Sequence, residues 1–258
     1  MPLDGRRALI TGAGSGIGRA SALRLAQAGA AVAVVDVREE AAAKVAAEIK
    51  DAGHRAIDLT CDVRDEPAVQ EAVTAAADAF GGLDTVVAAA GIALSGTTHT
   101  MDLEHWELVL GVNLTGTFLV IKHALPHLVR GGGTITTIGS VASLVAAGRS
   151  AGYDASKGGV LQLTRAVAVE YADRGVRANC VCPGVVATGL AANSRSVAEE
   201  ARISRTSAAP KSKLRVEVPI GRKADPSEMA AVVAFLCSDD ASFITGAAIA
   251  ADGGFTAV

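Results

Sequence analysis

Short apolar segments alternate with longer amphipathic segments along the whole chain. The short segments are nearly continuous runs of Val, Ile, Leu and Ala, as is typical of parallel strands that are covered on both faces. This pattern predicts seven strands, at Ala8–Thr11, Ala31–Asp36, Arg55–Cys61, Leu83–Ala89, Thr134–Ile138, Arg177–Cys182 and Ala247–Ala251.

The segments between the strands have helical periodicity. They predict helices at Ile17–Ala28, Glu39–Ala52 and Glu66–Phe80, and two longer helices near 102–129 and 153–173. The last segment carries a stripe of apolar side chains three or four residues apart, which marks a helix face that packs on a core. The stripe consists of Val160, Leu163, Val167 and Tyr171.

The alternation of strands and helices favours an α/β fold. We expect a doubly wound, seven-stranded parallel sheet of the Rossmann type, with helices on both faces and right-handed crossovers. No Pro-, Gly- or Ser-rich linker and no internal repeat interrupts the pattern. Residues 1–258 are therefore predicted to form one domain.

One stretch, residues 189–224, departs from this alternation because it has no clear strand and mixes Ser, Ala, Pro and charged residues. A long irregular insertion in a compact domain is often a lid, so we expect it to cover the active site, with helical turns near 197–205. Six of its basic residues form a cluster that either is solvated or gives a preference for substrates with a carboxylate or phosphate. They are Arg195, Arg202, Arg205, Lys211, Lys213 and Arg215.

Composition excludes several classes of function. Half of the residues are hydrophobic but only 3% are aromatic, so the core must be built from aliphatic side chains. A net charge of −3 offers no basic footprint for nucleic acid. The N-terminal residues do not resemble a secretory leader, and the apolar runs are interrupted by Gly and charge, so no membrane span is expected.

The cysteines and histidines do not suggest a metal site. The four cysteines are scattered and form no C-x-x-C pair, which predicts buried thiols in a cytoplasmic protein. His123 and His127 lie four residues apart but lack a third ligand, and we interpret them as surface or interface side chains.

The first predicted strand runs directly into a glycine-rich turn and then a helix. This context allows backbone N–H groups to meet a pyrophosphate at a helix N-terminus. The residues predicted to bind the cofactor in this turn are Gly12, Ser15, Gly16, Ile17 and Gly18.

Asp36 ends the second predicted strand, at the distance expected for an acidic residue that binds the adenosine ribose. Its carboxylate accepts hydrogen bonds from ribose hydroxyls and repels a 2′-phosphate, so NAD is favoured over NADP. Arg38 is the opposing signal, because a guanidinium at this position suits a 2′-phosphate.

Tyr153 and Lys157 stand four residues apart at the start of a predicted helix, so the phenol and the ammonium lie on one face. A neighbouring Lys⁺ and an oxidised nicotinamide would both favour the phenolate, which lowers the tyrosine pKa toward neutrality. Tyr153 is then the acid/base that exchanges a proton with an alcohol or ketone. Ser140 follows the fifth predicted strand at the same sheet edge, where its hydroxyl is able to hold the substrate oxygen.

The turn T-G-A-G-S-G-I-G resembles the TGxxxGxG signature of the short-chain dehydrogenase/reductase family, and later motifs extend the match over nearly the whole chain. The resemblance implies that Asn113, Ser140, Tyr153 and Lys157 are the family's catalytic tetrad. For Asn113 it implies a helix kink and an ordered water that relays protons from Lys157.

The resemblance also implies further cofactor contacts. Asp62 and Val63 would border the adenine, and Gly91 would allow close approach of the cofactor. Ala88-Ala89-Ala90-Gly91 stands where family members have Asn-Asn-Ala-Gly, so this turn lacks amide hydrogen bonds and is expected to be less rigid. The segment that resembles PGxxxT would meet the nicotinamide and the pyrophosphate through Pro183, Gly184, Val186 and Thr188. Tyr153 and Lys157 would contact the cofactor as well.

Three functions remain open at this stage. The first is an NAD-dependent oxidoreductase for a secondary alcohol or ketone of small, cyclic, polyol or hydroxysteroid type. The second is a 3-oxoacyl-thioester (acyl carrier protein) reductase that uses NADPH, and the third is a non-catalytic dinucleotide sensor. The two long helices expose apolar positions, and in the family such helices pair between subunits, which implies a homotetramer.

Overall fold

A computed structural model of the chain describes residues 2–146, 150–200 and 218–257. Within them, seven parallel strands form one sheet in the order β3-β2-β1-β4-β5-β6-β7. The strands are β1 (Arg7–Thr11), β2 (Ala31–Asp36), β3 (Ala56–Thr60), β4 (Thr85–Ala88), β5 (Gly133–Ile138), β6 (Val176–Pro183) and β7 (Ala248–Ala251). All seven predicted strands are confirmed, with ends that differ by one or two residues.

The helices cover both faces of the sheet. They are α1 (Gly16–Gln27), α2 (Glu39–Asp51), α3 (Glu66–Phe80), α4 (Leu103–Leu110), α5 (Gly116–Leu128), α6 (Ala151–Tyr171), α7 (Leu190–Glu200) and α8 (Pro226–Cys237). Successive strand residues face opposite layers: Leu9 packs with α3 to α6, whereas Ala8 and Ile10 pack with α1, α2 and α8. The predicted doubly wound α/β fold is confirmed.

The long helix predicted near 102–129 is interrupted. A π-helical turn at Gly111–Thr115 joins α4 to α5, and Asn113 lies in it. The stretch Leu103–Leu128 has the length and mean hydropathy, 1.5, of a membrane span, which the sequence interpretation missed. In the fold, 61% of the apolar 18-residue window within that stretch is buried, because α5 packs between the sheet and α3.

Two helices were not predicted by the hydrophobic pattern. Helix α8 is buried along most of its length, so it shows no polar face, yet Asp225 and Glu228 form a capping box and Pro226 stands in the first turn. Helix α7 begins at Leu190, earlier than the helical turns expected near 197–205. The part of that expectation beyond Glu200, and residues 201–217 of the expected lid at 189–224, lie outside the described residues.

The strand order places the site. Because all described strands are parallel, their carboxyl ends share one edge, and the strand order reverses between β1 and β4. The turns after these two strands approach closely there: a Cβ placed on Gly12 would lie 2.7 Å from Cα of Ala90. Ligand-binding crevices of open α/β sheets form at this switch point.

Candidate active site

The glycine-rich turn after β1 is folded so tightly that side chains are excluded. Gly12 has a left-handed φ of 64°, and a Cβ on Gly18 would lie 2.2 Å from the carbonyl oxygen of Gly12. The turn leads directly into α1, whose N-terminus carries the partial positive charge of the helix dipole. This cradle of backbone N–H groups fits a pyrophosphate.

Asp36 is buried at the end of β2 and is held in place by backbone. Its Oδ2 accepts a hydrogen bond from the Gly14 N–H at 2.9 Å, and its Oδ1 accepts one from the Arg38 N–H at 3.1 Å. The guanidinium of Arg38 turns back to the same carboxylate, with Nε 3.4 Å from Oδ1. The carboxylate therefore has a defined position beside the glycine-rich turn.

One cleft of about 580 Å³ runs along the carboxyl edge of the sheet. Such a volume is in the ordinary range for a small-molecule or cofactor site. With the exception of Asn113, every site residue expected from the sequence lines this cleft. These residues are Gly12, Ser15, Gly16, Ile17, Gly18, Asp36, Asp62, Val63, Gly91, Ser140, Tyr153, Lys157, Pro183, Gly184, Val186 and Thr188.

Ser140 and Tyr153 meet in the cleft. Ser140 follows β5 and caps a short 3₁₀ turn, because its Oγ accepts from the Ala142 N–H at 3.2 Å. Tyr153 stands in the first turn of α6, where its N–H donates to the Ser150 Oγ. The Ser140 hydroxyl is close enough to the phenol to influence the Tyr153 pKa.

The tyrosine pKa differs from the expectation. Burial raises the pKa of Tyr153 because it disfavours the phenolate, and the Ser140 hydroxyl opposes this only in part. The Lys157 Nζ lies 5.8 Å from the centre of the phenol ring. In the protein without cofactor, desolvation therefore has a larger effect on the Tyr153 pKa than Lys157 has. The predicted lowering of this pKa is wrong for the cofactor-free protein.

Lys157 is buried next to the sheet. Its Nζ donates to the carbonyl oxygen of Ile138 at 2.7 Å. Burial lowers the pKa of Lys157 to about 8, and the nearby thiols of Cys180 and Cys182 counteract this in part. A Cβ placed on Gly91 would lie 3.4 Å from this Nζ, so Gly91 lies directly beside the amine.

Asn113 does not line the cleft but joins two elements that do. Its Oδ1 accepts from the Ile92 N–H at 2.8 Å, and its Nδ2 donates to the Ile92 carbonyl at 3.0 Å and to the Ser156 Oγ at 2.9 Å. Ser156 donates in turn to the Tyr153 carbonyl at 2.7 Å. The asparagine thus connects the turn after β4 to the first turn of α6, and the helix irregularity expected at this position is the π-helical turn.

The alanine-rich turn after β4 has other hydrogen bonds in place of the missing asparagines. The Ala90 N–H donates to the Thr11 Oγ1 at 3.3 Å, and Asn113 holds both polar backbone groups of Ile92. These contacts come from β1 and from the π-helical turn, so no local sequence pattern in the turn itself indicates them.

The far end of the cleft is formed by the segment after β6. A Cβ placed on Gly184 would lie 2.8 Å from Cα of Asp252, so this turn packs directly on the C-terminal turn. Asp252 itself accepts from the Gly254 and Thr256 N–H groups, which holds the C-terminal turn in place. Thr188 reaches back across the cleft toward Gly16: its Cγ2 lies 3.3 Å from a Cβ placed on that glycine.

Sequence reasoning missed the contribution of α7. Leu190, Asn193 and Val197 line the cleft, and the Asn193 Nδ2 donates to the Ser15 Oγ at 3.0 Å. No motif announces this helix, because its docking depends on residues more than a hundred positions away. Of the basic residues expected in the lid, only Arg195 falls within the described range, and its side chain is exposed.

The two histidines that were weighed as metal ligands lie apart from the cleft. The His123 Nε2 lies 3.1 Å from Glu66 Oε1, and His127 lines a separate cavity at the opposite edge of the sheet. Among the described residues, no group of three His, Cys, Asp or Glu side chains is arranged to hold a metal ion.

Known proteins resemble the chain over its whole length. A family model described as enoyl-(acyl carrier protein) reductase matches residues 12–256. A cis-4-hydroxycyclohexanecarboxylate dehydrogenase of Sinomonas cyclohexanicum is 45% identical over 98% of this chain and 97% of that protein. A meso-2,3-butanediol dehydrogenase of Serratia marcescens is 38% identical over 100% of this chain and 97% of that protein.

Solved structures give the same result for the fold. A short-chain type dehydrogenase/reductase from Mycobacterium marinum has a TM-score of 0.88 to this chain at 34% identity, and the alignment covers 100% of this chain and 98% of that one. The likeness therefore includes the cleft, the catalytic edge of the sheet and the C-terminal turn.

Proposed function

The chain belongs to the short-chain dehydrogenase/reductase family, and from this premise we propose that it is an NAD-dependent dehydrogenase with Tyr153 as general acid and base. It is an oxidoreductase that interconverts a secondary alcohol and a ketone. The observation that carries the catalytic assignment is the meeting of Ser140, Tyr153 and Lys157 in the cleft that begins at the glycine-rich turn.

Ser140 and Tyr153 act on the substrate oxygen. Both residues line one cleft, and the Ser140 hydroxyl is close enough to the phenol to influence its pKa, so both are placed to contact a single oxygen atom there. Ser140 holds the oxygen and stabilises its developing charge. Tyr153 donates a proton to it in ketone reduction and accepts one from it in alcohol oxidation.

Lys157 and Asn113 support the tyrosine. The Lys157 ammonium stabilises the phenolate electrostatically, while its hydrogen bond to the Ile138 carbonyl fixes the amine below the cleft. Asn113 is a positioning residue that joins the β4 turn to α6 through Ile92 and Ser156. A proton relay through an ordered water near Asn113 remains part of this proposal.

The residues of the cleft fit a dinucleotide. The turn formed by Gly12 to Gly18 folds this tightly because Gly12 and Gly18 have no Cβ atoms, and its backbone N–H groups suit a pyrophosphate. When bound, the nicotinamide supplies hydride transfer and, in its oxidised form, a positive charge. Asp62 and Val63 would border the adenine, and the segment from Pro183 to Thr188 would contact the nicotinamide end.

The preference for NAD rests on Asp36. Two backbone N–H groups fix its carboxylate where the adenosine ribose would lie, and its charge repels a 2′-phosphate. The Arg38 guanidinium is not free to attract a 2′-phosphate, because its Nε is directed at the same carboxylate.

The substrate class is a small or cyclic secondary alcohol. The relatives described above are named for a hydroxycyclohexane carboxylate and for a butanediol. Ile92, Leu190 and Val197 give the cleft apolar lining, and Ile92 and Val197 belong to the same apolar cluster as Tyr153, which suits a ring or a short carbon chain.

The 3-oxoacyl-thioester reductase is the second candidate. It is retained because the matching family model is described as an enoyl-(acyl carrier protein) reductase, which also acts on acyl thioesters of that carrier. The two candidates differ in cofactor, since the thioester reductase would use NADPH. Asp36 favours the alcohol dehydrogenase.

A substrate panel separates these candidates. Purified protein is incubated with cyclic and acyclic secondary alcohols and NAD⁺, and separately with a 3-oxoacyl thioester and NADPH, while the absorbance of reduced nicotinamide is followed. We expect turnover of alcohols with NAD⁺, with an oxidation rate that rises with pH because burial raises the Tyr153 pKa. Turnover confined to the thioester and NADPH would replace the proposal, and the absence of any turnover would favour the dinucleotide sensor.

We further propose a homotetramer in the cytoplasm. Phe118 on α5 and Val169 on α6 are exposed, by 46% and 82%, although each belongs to a predominantly apolar helix. The described cysteines are all free and buried, as suits a reducing compartment. Light scattering tests the assembly, and a monomeric mass would contradict it.

A further inference from the structure

Helix α7 is attached to both walls of the cleft by two consecutive side chains. The Asn193 Nδ2 donates to the Ser15 Oγ at 3.0 Å, in the turn after β1. The Ser194 Oγ accepts from the Ala93 N–H at 2.8 Å, in the segment after β4. Since these two segments flank the crevice at the switch point, α7 bridges it.

The two attachments differ in strength. Ser194 is fully buried, its hydroxyl also donates to the Leu190 carbonyl, and Ala198 one turn later packs into the main core. Asn193 is only half-buried, and its other contact is a long one of 3.5 Å from the Arg38 Nη1 to its Oδ1. The Asn193 side is therefore where α7 separates from the cleft first.

The Asn193 contact lies across the position of the pyrophosphate. Ser15 belongs to the glycine-rich turn, and Arg38 follows Asp36, the residue assigned to the adenosine ribose. One residue further along the turn, Gly16 faces Thr188 at close range. These contacts cover the middle of the cleft, between the adenosine end and Tyr153.

We propose that Asn193 is a latch whose hydrogen bond to Ser15 sets the rate at which the dinucleotide binds and leaves. The inference rests on the proposed function, because the ligand is the NAD(H) assigned to this cleft. Asn193 is a positioning residue: it touches the wall of the site and Arg38, and it controls the opening of the covered middle section.

A latch and an ordinary ligand contact have different kinetic signatures. The Asn193 bond joins protein to protein, so it must break both for binding and for release. Its removal then speeds both processes and leaves the dissociation constant nearly unchanged. A side chain that simply held the cofactor would affect release alone and would raise the dissociation constant by the same factor.

The test is Asn193→Ala, followed by stopped-flow fluorescence of NADH binding and of NADH displacement. Alanine favours the helix, so α7 is expected to remain folded. The substitution removes the hydrogen bond to Ser15 and the longer contact with Arg38. We therefore expect the rates of NADH binding and release to rise about tenfold, with a dissociation constant within about twofold of wild type. Glu199→Ala, on the exposed surface of α7, is the matched control and is expected to leave both rates unchanged.

Amide hydrogen exchange without cofactor gives a second readout. Faster exchange in α7 of Asn193→Ala, with the sheet unaffected, supports the latch, because opening is then a property of the protein itself. Unchanged exchange in α7 overturns it.

The kinetic outcomes are equally distinct. If release accelerates while binding does not, Asn193 is a ligand contact and the latch is wrong. If neither rate changes, the latch is also wrong while NADH binding by the wild type upholds the dinucleotide site. If the wild-type protein binds no NADH, the proposed function fails together with the latch.

Discussion

Each of the two edges of the parallel sheet has a cavity lined by glycines and charged side chains, but the two edges differ in how far these charges are paired within the fold. At the amino edge, a cavity of about 350 Å³ is lined by Arg7, Asp84 and His127, among others. Asp84 accepts from the Arg7 backbone at 3.1 Å, the Arg7 Nε at 2.9 Å and the Thr85 hydroxyl at 2.9 Å. Its charge is therefore fully compensated within the fold.

At the carboxyl edge Asp36 is paired with Arg38, but within the described chain Lys157 lacks such compensation. Among the described residues, no carboxylate pairs with the buried Lys157, whose amine meets only a carbonyl oxygen at hydrogen-bond distance. Tyr153 likewise has a raised pKa because burial disfavours its charged form. Helix N-termini also face this edge in a parallel α/β fold, which favours anionic ligands there. Polar groups at the amino edge therefore serve stability, whereas Lys157 and Tyr153 at the carboxyl edge remain available for chemistry at some cost in stability.

The largest expected effect follows from removal of the phenolic hydroxyl at the carboxyl edge. Tyr153→Phe should lower kcat by about a thousandfold, because proton transfer to and from the substrate oxygen is lost. NADH binding, measured by fluorescence titration, should remain close to wild type. A rate near that of the wild type would refute the acid/base assignment.

The reverse pattern is expected at the amino edge. Asp84→Ala should lower the free energy of unfolding by about 3 kcal/mol, since it leaves Arg7 and Thr85 without their buried acceptor. Activity per folded molecule should be retained, because the cleft is at the other edge.

Urea denaturation measures this stability effect, and Arg6→Ala provides the control. Arg6 pairs with Asp239, whose side chain is 91% exposed, so its loss should change stability by less than about 0.5 kcal/mol. Equal effects of the two variants would contradict the assignment of Asp84 as a buried, compensating charge.

A smaller effect of opposite sign is expected at Lys157. Burial lowers its pKa from 10.5 to about 8, so the folded state disfavours the ammonium, and this destabilisation is fully present below pH 8. Lys157→Met should therefore raise the free energy of unfolding at pH 7 by about 2 kcal/mol, after allowance for the lost hydrogen bond to Ile138.

The gain from Lys157→Met should disappear as the pH rises from 8 toward 10.5, where the lysine is neutral in both states. Denaturation series at several pH values test this sign, and activity should be lost at all of them. A variant that is less stable than the wild type at pH 7 would show that Lys157 stabilises the fold.

The smallest effect concerns cofactor choice. Asp36→Ser removes the charge that repels a 2′-phosphate and frees Arg38, so kcat/KM for NADP⁺ relative to NAD⁺ should rise about tenfold. Asp58→Ala is the control, since this carboxylate lies on the neighbouring strand β3 and pairs with Lys50 away from the cleft. No change in the ratio would remove Asp36 from the determinants of specificity.

Much of the fold was predictable because it depends on local patterns. Buried parallel strands appear as continuous apolar runs, and Tyr153 and Lys157 share a helix face through their spacing alone. Helix α8 also had a local signal in Asp225, Pro226 and Glu228, but its uniformly apolar surface concealed it from an argument based on periodicity.

Other features depended on distant contacts. The π-helical turn at Asn113 is held by Ile92 and Ser156, which lie 21 and 43 residues away in the sequence. The pKa of Tyr153 could not be judged from Lys157 alone, because desolvation by the surrounding fold has the larger effect.

Several features could be inferred from the sequence alone: the order and type of the strands, the glycine-rich turn, the acidic end of β2 and the residues that meet at the carboxyl edge. These follow from side-chain periodicity and from the rule that parallel strands end at one edge. The bridging of the cleft by α7 became visible in the folded structure alone, because the hydrogen bond from Asn193 to Ser15 joins positions 178 residues apart. The same holds for which charges are compensated, since desolvation and ion pairing arise when distant segments pack together.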